Sequence, residues 1–72
     1  MGRFYITDEE LHRILVFDRS GNFLDGWGEH GSANGELDTP SGIAFDSHDN
    51  LYVADTYNNR IQKFTNNGRF LM

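Results

Sequence analysis

Apolar residues in this chain come in short runs of strand length, such as residues 4–6 and 51–54, divided by clusters of Asp, Asn, Ser and Gly. One stretch, TDEELHRILVFDRSGNFL at residues 7–24, departs from that pattern. Thr7 stands three residues before Glu10, the spacing of a capping box that opens a helix. Leu11, Ile14 and Leu15 follow at helical intervals, so local rules predict a helix over residues 8–17.

A second copy of the same stretch overrules that expectation. Shifted by 47 residues, YITDEELHRILVFDRSGNFL falls on YVADTYNNRIQKFTNNGRFL without a gap. Eight positions are identical: Tyr5/Tyr52, Asp8/Asp55, Arg13/Arg60, Ile14/Ile61, Phe17/Phe64, Gly21/Gly68, Phe23/Phe70 and Leu24/Leu71. In the second copy, residues 55–59 and 65–68 carry turn chemistry, and the segments between them have strand length and composition. Two copies of one repeat share one fold, so the first copy is expected to be strands and turns, with no helix.

The expected strands are residues 3–7, 13–17 and 22–27 in the first unit, then 42–46, 50–54, 60–64 and 69–71 in the second. Ile14 and Val16 point to one face of their strand, Leu15 and Phe17 to the other, so both faces of the sheet need cover. A four-stranded antiparallel unit of this period matches a β-propeller blade, whose neighbours supply that cover. The chain divides into residues 1–28, a partial blade of three strands, residues 29–39, a glycine-rich connection, and residues 40–72, a complete blade of four. The fold class is all-β.

The segment PSGIAFDSHDNLYVADTYNNRIQKFTNNGRFL, residues 40–71, closely resembles the NHL repeat. The shared features are Pro40, Gly42-Ile43-Ala44, Asp46, Asn50, Tyr52-Val53-Ala54-Asp55, Asn58-Asn59-Arg60-Ile61-Gln62 and Gly68-Arg69-Phe70. The chain departs from the family pattern at His48-Asp49, where a small residue and glycine are usual, and at Leu11-His12, in place of Asn-x before the arginine. The resemblance implies a ring usually of six blades, and the chain reads as a piece of a longer array, natural or engineered. Two blades alone leave broad apolar faces in water. Association is therefore expected, with a trimer favoured and a tetramer the alternative, because each first blade lacks its channel-side strand.

Composition excludes several other functions. The net charge of -5 and pI near 4.8 oppose binding to a phosphate backbone, which needs clustered Lys and Arg, so no nucleic-acid partner is expected. With no cysteine there is neither a disulfide nor a thiolate metal site. No apolar run has the length of a membrane span, so no membrane partner is expected. Aromatics at 14% and hydrophobics at 38% place the chain among globular rather than disordered sequences.

Candidate chemistry is sparse. His12, His30 and His48 fall in or beside turns without ligand spacing, so no metal is expected. Residues 46–50 resemble an oxygen-rich calcium loop but lack its Gly and distal Glu. The spaced glycines at residues 26–31 precede no helix, so no nucleotide cofactor is expected. Asp8 with Arg13, and Asp55 with Arg60, recur once per repeat, which suits a structural role in turns and loops better than catalysis. Gly21 and Gly68 complete the structural set, and Ile14, Phe17, Phe23, Ile61, Phe64 and Phe70 are expected to pack between blades. The functional expectation is a non-catalytic, self-assembling propeller scaffold for protein partners. The resemblance leaves two alternatives, a piece of an NHL-type lyase or hydrolase and a piece of an RNA-binding propeller, neither active by itself.

Overall fold

A computed structural model describes residues 2–72 and contains six strands. They are β1 (Arg3–Asp8), β2 (Arg13–Asp18), β3 (Phe23–Trp27), β4 (Pro40–Phe45), β5 (Leu51–Asp55) and β6 (Arg60–Phe64). They form two antiparallel sheets in sequential order, β1-β2-β3 and β4-β5-β6. No α-helix occurs among the described residues, and a short 3-10 turn at Thr56–Asn58 is the sole helical geometry there.

The helix signal at residues 7–17 fails for a local reason. Thr7 lies within β1, opposite Ile14 of β2, and does not act as a cap. Asp8 takes over the turn: its Oδ1 accepts the amides of Glu10 and Leu11, each at 3.0 Å. His12 then adopts a left-handed backbone at φ 57°, which reverses the chain into β2. The second copy turns the same way, with Asn59 at φ 54° in the equivalent position. The hairpins share a further device. Asp18 Oδ1 accepts the amides of Ser20 and Asn22, and Asp46 Oδ1 accepts those of His48 and Asn50. Such side-chain caps satisfy loop amides that the sheet leaves unpaired. The amide of Asn50 is the main reason that the Asp46 carboxyl falls to about 2.

The strand count differs from expectation. The second sheet has three strands, so the four-stranded blade expected over residues 40–72 is corrected, and the total is six rather than seven. The turn after β6 does bring the chain back. However, the returning segment makes one antiparallel bridge, Phe64 with Phe70, plus backbone bonds between Lys63 and residues 71 and 72. A single bridge is not a ladder, so residues 69–71 do not form the expected fourth strand.

The core lies between the sheets. Ile14 of β2, Leu37 of the connection, Leu51 and Val53 of β5, and Phe64 of β6 are buried together. Tyr5, Trp27, Ile43 and Phe70 pack around them. Trp27 stacks obliquely on Phe64, ring centres 4.7 Å apart, and covers Gly68. A Cβ at Gly68 would meet the indole at 2.6 Å, and its φ of 90° already favours glycine.

Replacing Phe64 with Ala should cost about 3–5 kcal/mol by chemical denaturation, through the cavity it leaves. Tyr57 is 70% exposed, so Tyr57→Ala should change stability by no more than about 0.5 kcal/mol. Circular dichroism of the unmodified chain should show a β-type spectrum with no helical component.

Candidate functional site

The second repeat grips the connection between the sheets through one carboxylate. Asp55, at the end of β5, is 0% exposed. Its Oδ1 accepts the amide of Asp38 at 2.7 Å. Its Oδ2 accepts from Asn58 Nδ2 at 3.0 Å, Arg60 Nε at 2.7 Å and Gln62 Nε2 at 3.0 Å. Burial pushes this carboxyl up, but the Asp38 amide, Asn58 and the Arg60 guanidinium outweigh it, so it stays below its ordinary value.

The donors around Asp55 also hold the connection. Arg60 reaches the carbonyls of Ser32, Ala33 and Glu36 at 2.8–3.0 Å. Gln62 donates to the Glu36 carbonyl and accepts the Gly35 amide, while Asn58 donates to the Gly31 carbonyl. These bonds fix residues 31–38 over the sheet and lower Leu37 into the core.

The first repeat carries the same residue types but not the same clamp. Asp8 caps its own turn. Arg13 lies across Gly26, and its Nε is buried without a hydrogen-bond partner among the described residues. An open depression of about 480 Å³ beside this region is lined by Ile6, Leu15, Ser41 and residues 7–10. Gly21, equivalent to Gly68, has no indole over it.

Equivalent side chains therefore meet opposite environments. Ile14 is 0% exposed and its counterpart Ile61 is 63% exposed. Conversely, Leu51 and Val53 are 0% exposed, whereas their counterparts Phe4 and Ile6 are 57% and 47% exposed. Phe17 and Phe23 share the outer face with Phe4, their rings 5.7 Å apart, while Phe64 and Phe70 pack inward. The inner face of the first sheet thus meets the opposite face of the second. That leaves one unlike face open at each end.

The histidines are less scattered than their sequence positions suggest. His12 and His30 stack with ring centres 3.8 Å apart and planes at 11°. Asp38 Oδ1 lies 3.6 Å from His12 Nδ1 and 3.5 Å from His30 Nε2. Sequence spacing gave no sign of this cluster, because 18 residues and a whole hairpin separate the two histidines. His48 stays in the β4–β5 turn, beside Ser47.

Residues 37–64, which hold the Asp55 clamp and three strands, match the family model of the NHL repeat. This segment is an NHL repeat. Known proteins with similar sequence include the Drosophila melanogaster protein brain tumor, 46% identical over 44 residues, or 61% of this chain. The Caenorhabditis elegans protein lin-41 is 44% identical over 45 residues, or 62% of the chain. The Rattus norvegicus peptidylglycine alpha-amidating monooxygenase is 38% identical over 69 residues, or 88% of the chain. The aligned parts amount to 4–7% of these relatives' lengths. NHL-repeat membership is thus compatible both with proteins named for an enzyme activity and with others.

Arg60→Ala should lower stability by about 1–3 kcal/mol, because it removes charge-assisted bonds to Asp55 and to three loop carbonyls. Arg60→Lys should recover only part, since an ammonium lacks the fork that spans those acceptors. The depressed carboxyls give a second expectation. A folded-state value below the unfolded one contributes stability above about pH 4 that is lost as pH falls toward the folded value. For Asp46 that value is about 2. Thermal melts of the unmodified chain should therefore be level from about pH 5 to 7 and drop between about pH 4 and 2. Asp55→Asn should be less stable at neutral pH and show a smaller acid loss.

Proposed function

We propose that the chain is a non-catalytic NHL-type propeller segment, with residues 1–28 as a partial blade, 29–39 as the connection and 40–72 as the second blade, serving as a protein-interaction scaffold. The observation that carries this reading is the reversed burial of Ile14 and Ile61 at equivalent repeat positions. The two sheets of one chain already associate through unlike faces. The outer face with Phe4, Ile6, Leu15 and Phe17 corresponds to the inner face of the second sheet, with Leu51, Val53, Gln62 and Phe64. The outer face with Ile61, Tyr52 and Lys63 corresponds to the inner face of the first. A neighbouring copy can therefore repeat the contact found within the chain. Such contacts are heterologous and close into a ring when the rotation per chain permits.

Within this reading, Asp55 and Arg60 serve stability, Gly68 seats Trp27, and Asp8, Arg13 and Gly21 are their first-blade counterparts. Ile14, Phe64 and Phe70 pack between blades within a chain. Phe17, Phe23 and Ile61 do so between copies. Three chains would bring together six units, with four chains as the alternative. The acidic balance disfavours a phosphate-backbone ligand, but the relatives found give no support for excluding nucleic acid.

The similarity to the amidating monooxygenase over 88% of the chain favours one second reading, a piece of an NHL-type enzyme without activity of its own.

Light scattering after gel filtration at micromolar concentration should give about three times 8.3 kDa, or four times for the alternative closure. Ile61→Glu or Phe4→Glu should shift the mass to the monomer while the β-type spectrum is kept. A folded, cooperatively melting 8.3 kDa monomer for the unmodified chain would overturn the assembly.

A further inference from the structure

We propose that His12, His30 and Asp38 form a binding site for one divalent transition-metal cation of the zinc class. Three separate segments meet there: the β1–β2 turn, the start of the connection and its end. One ligand atom from each residue lies within 4.8 Å of the other two. Bonds of about 2.0–2.2 Å at tetrahedral angles place ligand atoms about 3.3–3.6 Å apart. The distances of 3.5 Å from Asp38 Oδ1 to His30 Nε2, and 3.6 Å to His12 Nδ1, meet that requirement. Two imidazoles and one carboxylate suit zinc, nickel or copper, and leave a fourth position for water.

The surroundings supply what a built site needs and a chance cluster lacks. The backbone of Asp38 is anchored on both sides, its amide to buried Asp55 and its carbonyl to the amide of Tyr57. Thr39 Oγ1 donates to Asp38 Oδ1 at 3.2 Å, which orients the carboxylate. His12 and Thr39 both adopt left-handed backbones, at φ 57° and 53°. For a β-branched residue such as Thr39 that is a true outlier, and held strain of this kind gathers at functional positions.

The repeat sharpens the contrast. The position of His12 is held in the second unit by Asn59, which tolerates a left-handed backbone and has no imidazole to offer. Without the cation, His12 Nδ1 accepts the Thr39 amide at 2.9 Å. The cation takes the place of that amide at Nδ1 as the His12 ring turns, while the Asp38–Thr39 peptide stays anchored through the Asp38 carbonyl. His30, 61% exposed, rotates out of its stack to present Nε2.

The test is titration of the chain with zinc chloride near neutral pH, followed by calorimetry and by the thermal midpoint. One zinc per chain is expected, with the midpoint rising as zinc is added. His30→Ala carries most weight, since an exposed side chain can be removed without harming the fold. It should weaken binding at least tenfold and abolish the zinc-dependent rise, and Asp38→Ala should do the same. His48→Ala, outside the cluster, should bind as the unmodified chain does. In amide spectra, zinc should move the Thr39 resonance in the unmodified chain and not in His30→Ala. Absence of saturable binding, equal affinity in His30→Ala, or equal loss in His48→Ala would each overturn the site. These readouts are independent of chain association, so a monomer that binds zinc supports the site while refuting the assembly.

Discussion

The buried carboxylate of Asp55 is the constraint on which the rest of the structure depends. An isolated charge away from water is costly, and it persists only where donors surround it. Here the Asp38 amide, Asn58, Arg60 and Gln62 converge on two oxygens. The same donors spread outward onto carbonyls of the connection, so satisfying the charge and docking the connection are one event. Leu37 then closes the core over β5 and β6. The docked connection adds to direct packing between the sheets, where Tyr5 meets Phe45 and Trp27 meets Phe64.

The first repeat shows what the sequence does when this constraint is not met. Asp8 and Arg13 have the same chemistry and spacing as Asp55 and Arg60, yet no connection lies over them. Asp8 turns its oxygens to its own hairpin, and Arg13 Nε is left buried without an acceptor. Exposed Phe4 and Ile6 mark the same gap in apolar terms. The unpartnered Arg13 and the exposed Phe4 and Ile6 all belong to the first sheet. In a repeat protein each unit depends on the next for both kinds of satisfaction.

Charge and strain collect where the connection meets the first hairpin. His12, Asp38 and Thr39 lie where the first hairpin meets the connection that the Asp55 clamp holds. A site there is held by the clamp as much as by its own residues. Its counterpart in the second unit, built on Asn59, lacks the imidazole. The repeat thus conserves a backbone shape while leaving the side chain at its tip free to differ.

The sequence alone determined the order of strands and turns, because the signals are local. Asp18 and Asp46 cap loops within four residues, and the left-handed positions at His12 and Asn59 follow from turns only a few residues long. Even the false helix at residues 8–17 was resolved by sequence, through comparison with its own copy. The fourth strand at residues 69–71 was not legible. Its composition suits a strand, and only the geometry of the return shows that it bridges β6 once. The clamp was visible as an Asp–Arg spacing but not as a grip on residues 31–38, since those contacts span more than 20 residues. The stacked histidines were invisible for the same reason. Separation along the chain carries no information about which loops share an end of the fold, and only sheet packing brings Asp38 beside two stacked imidazoles.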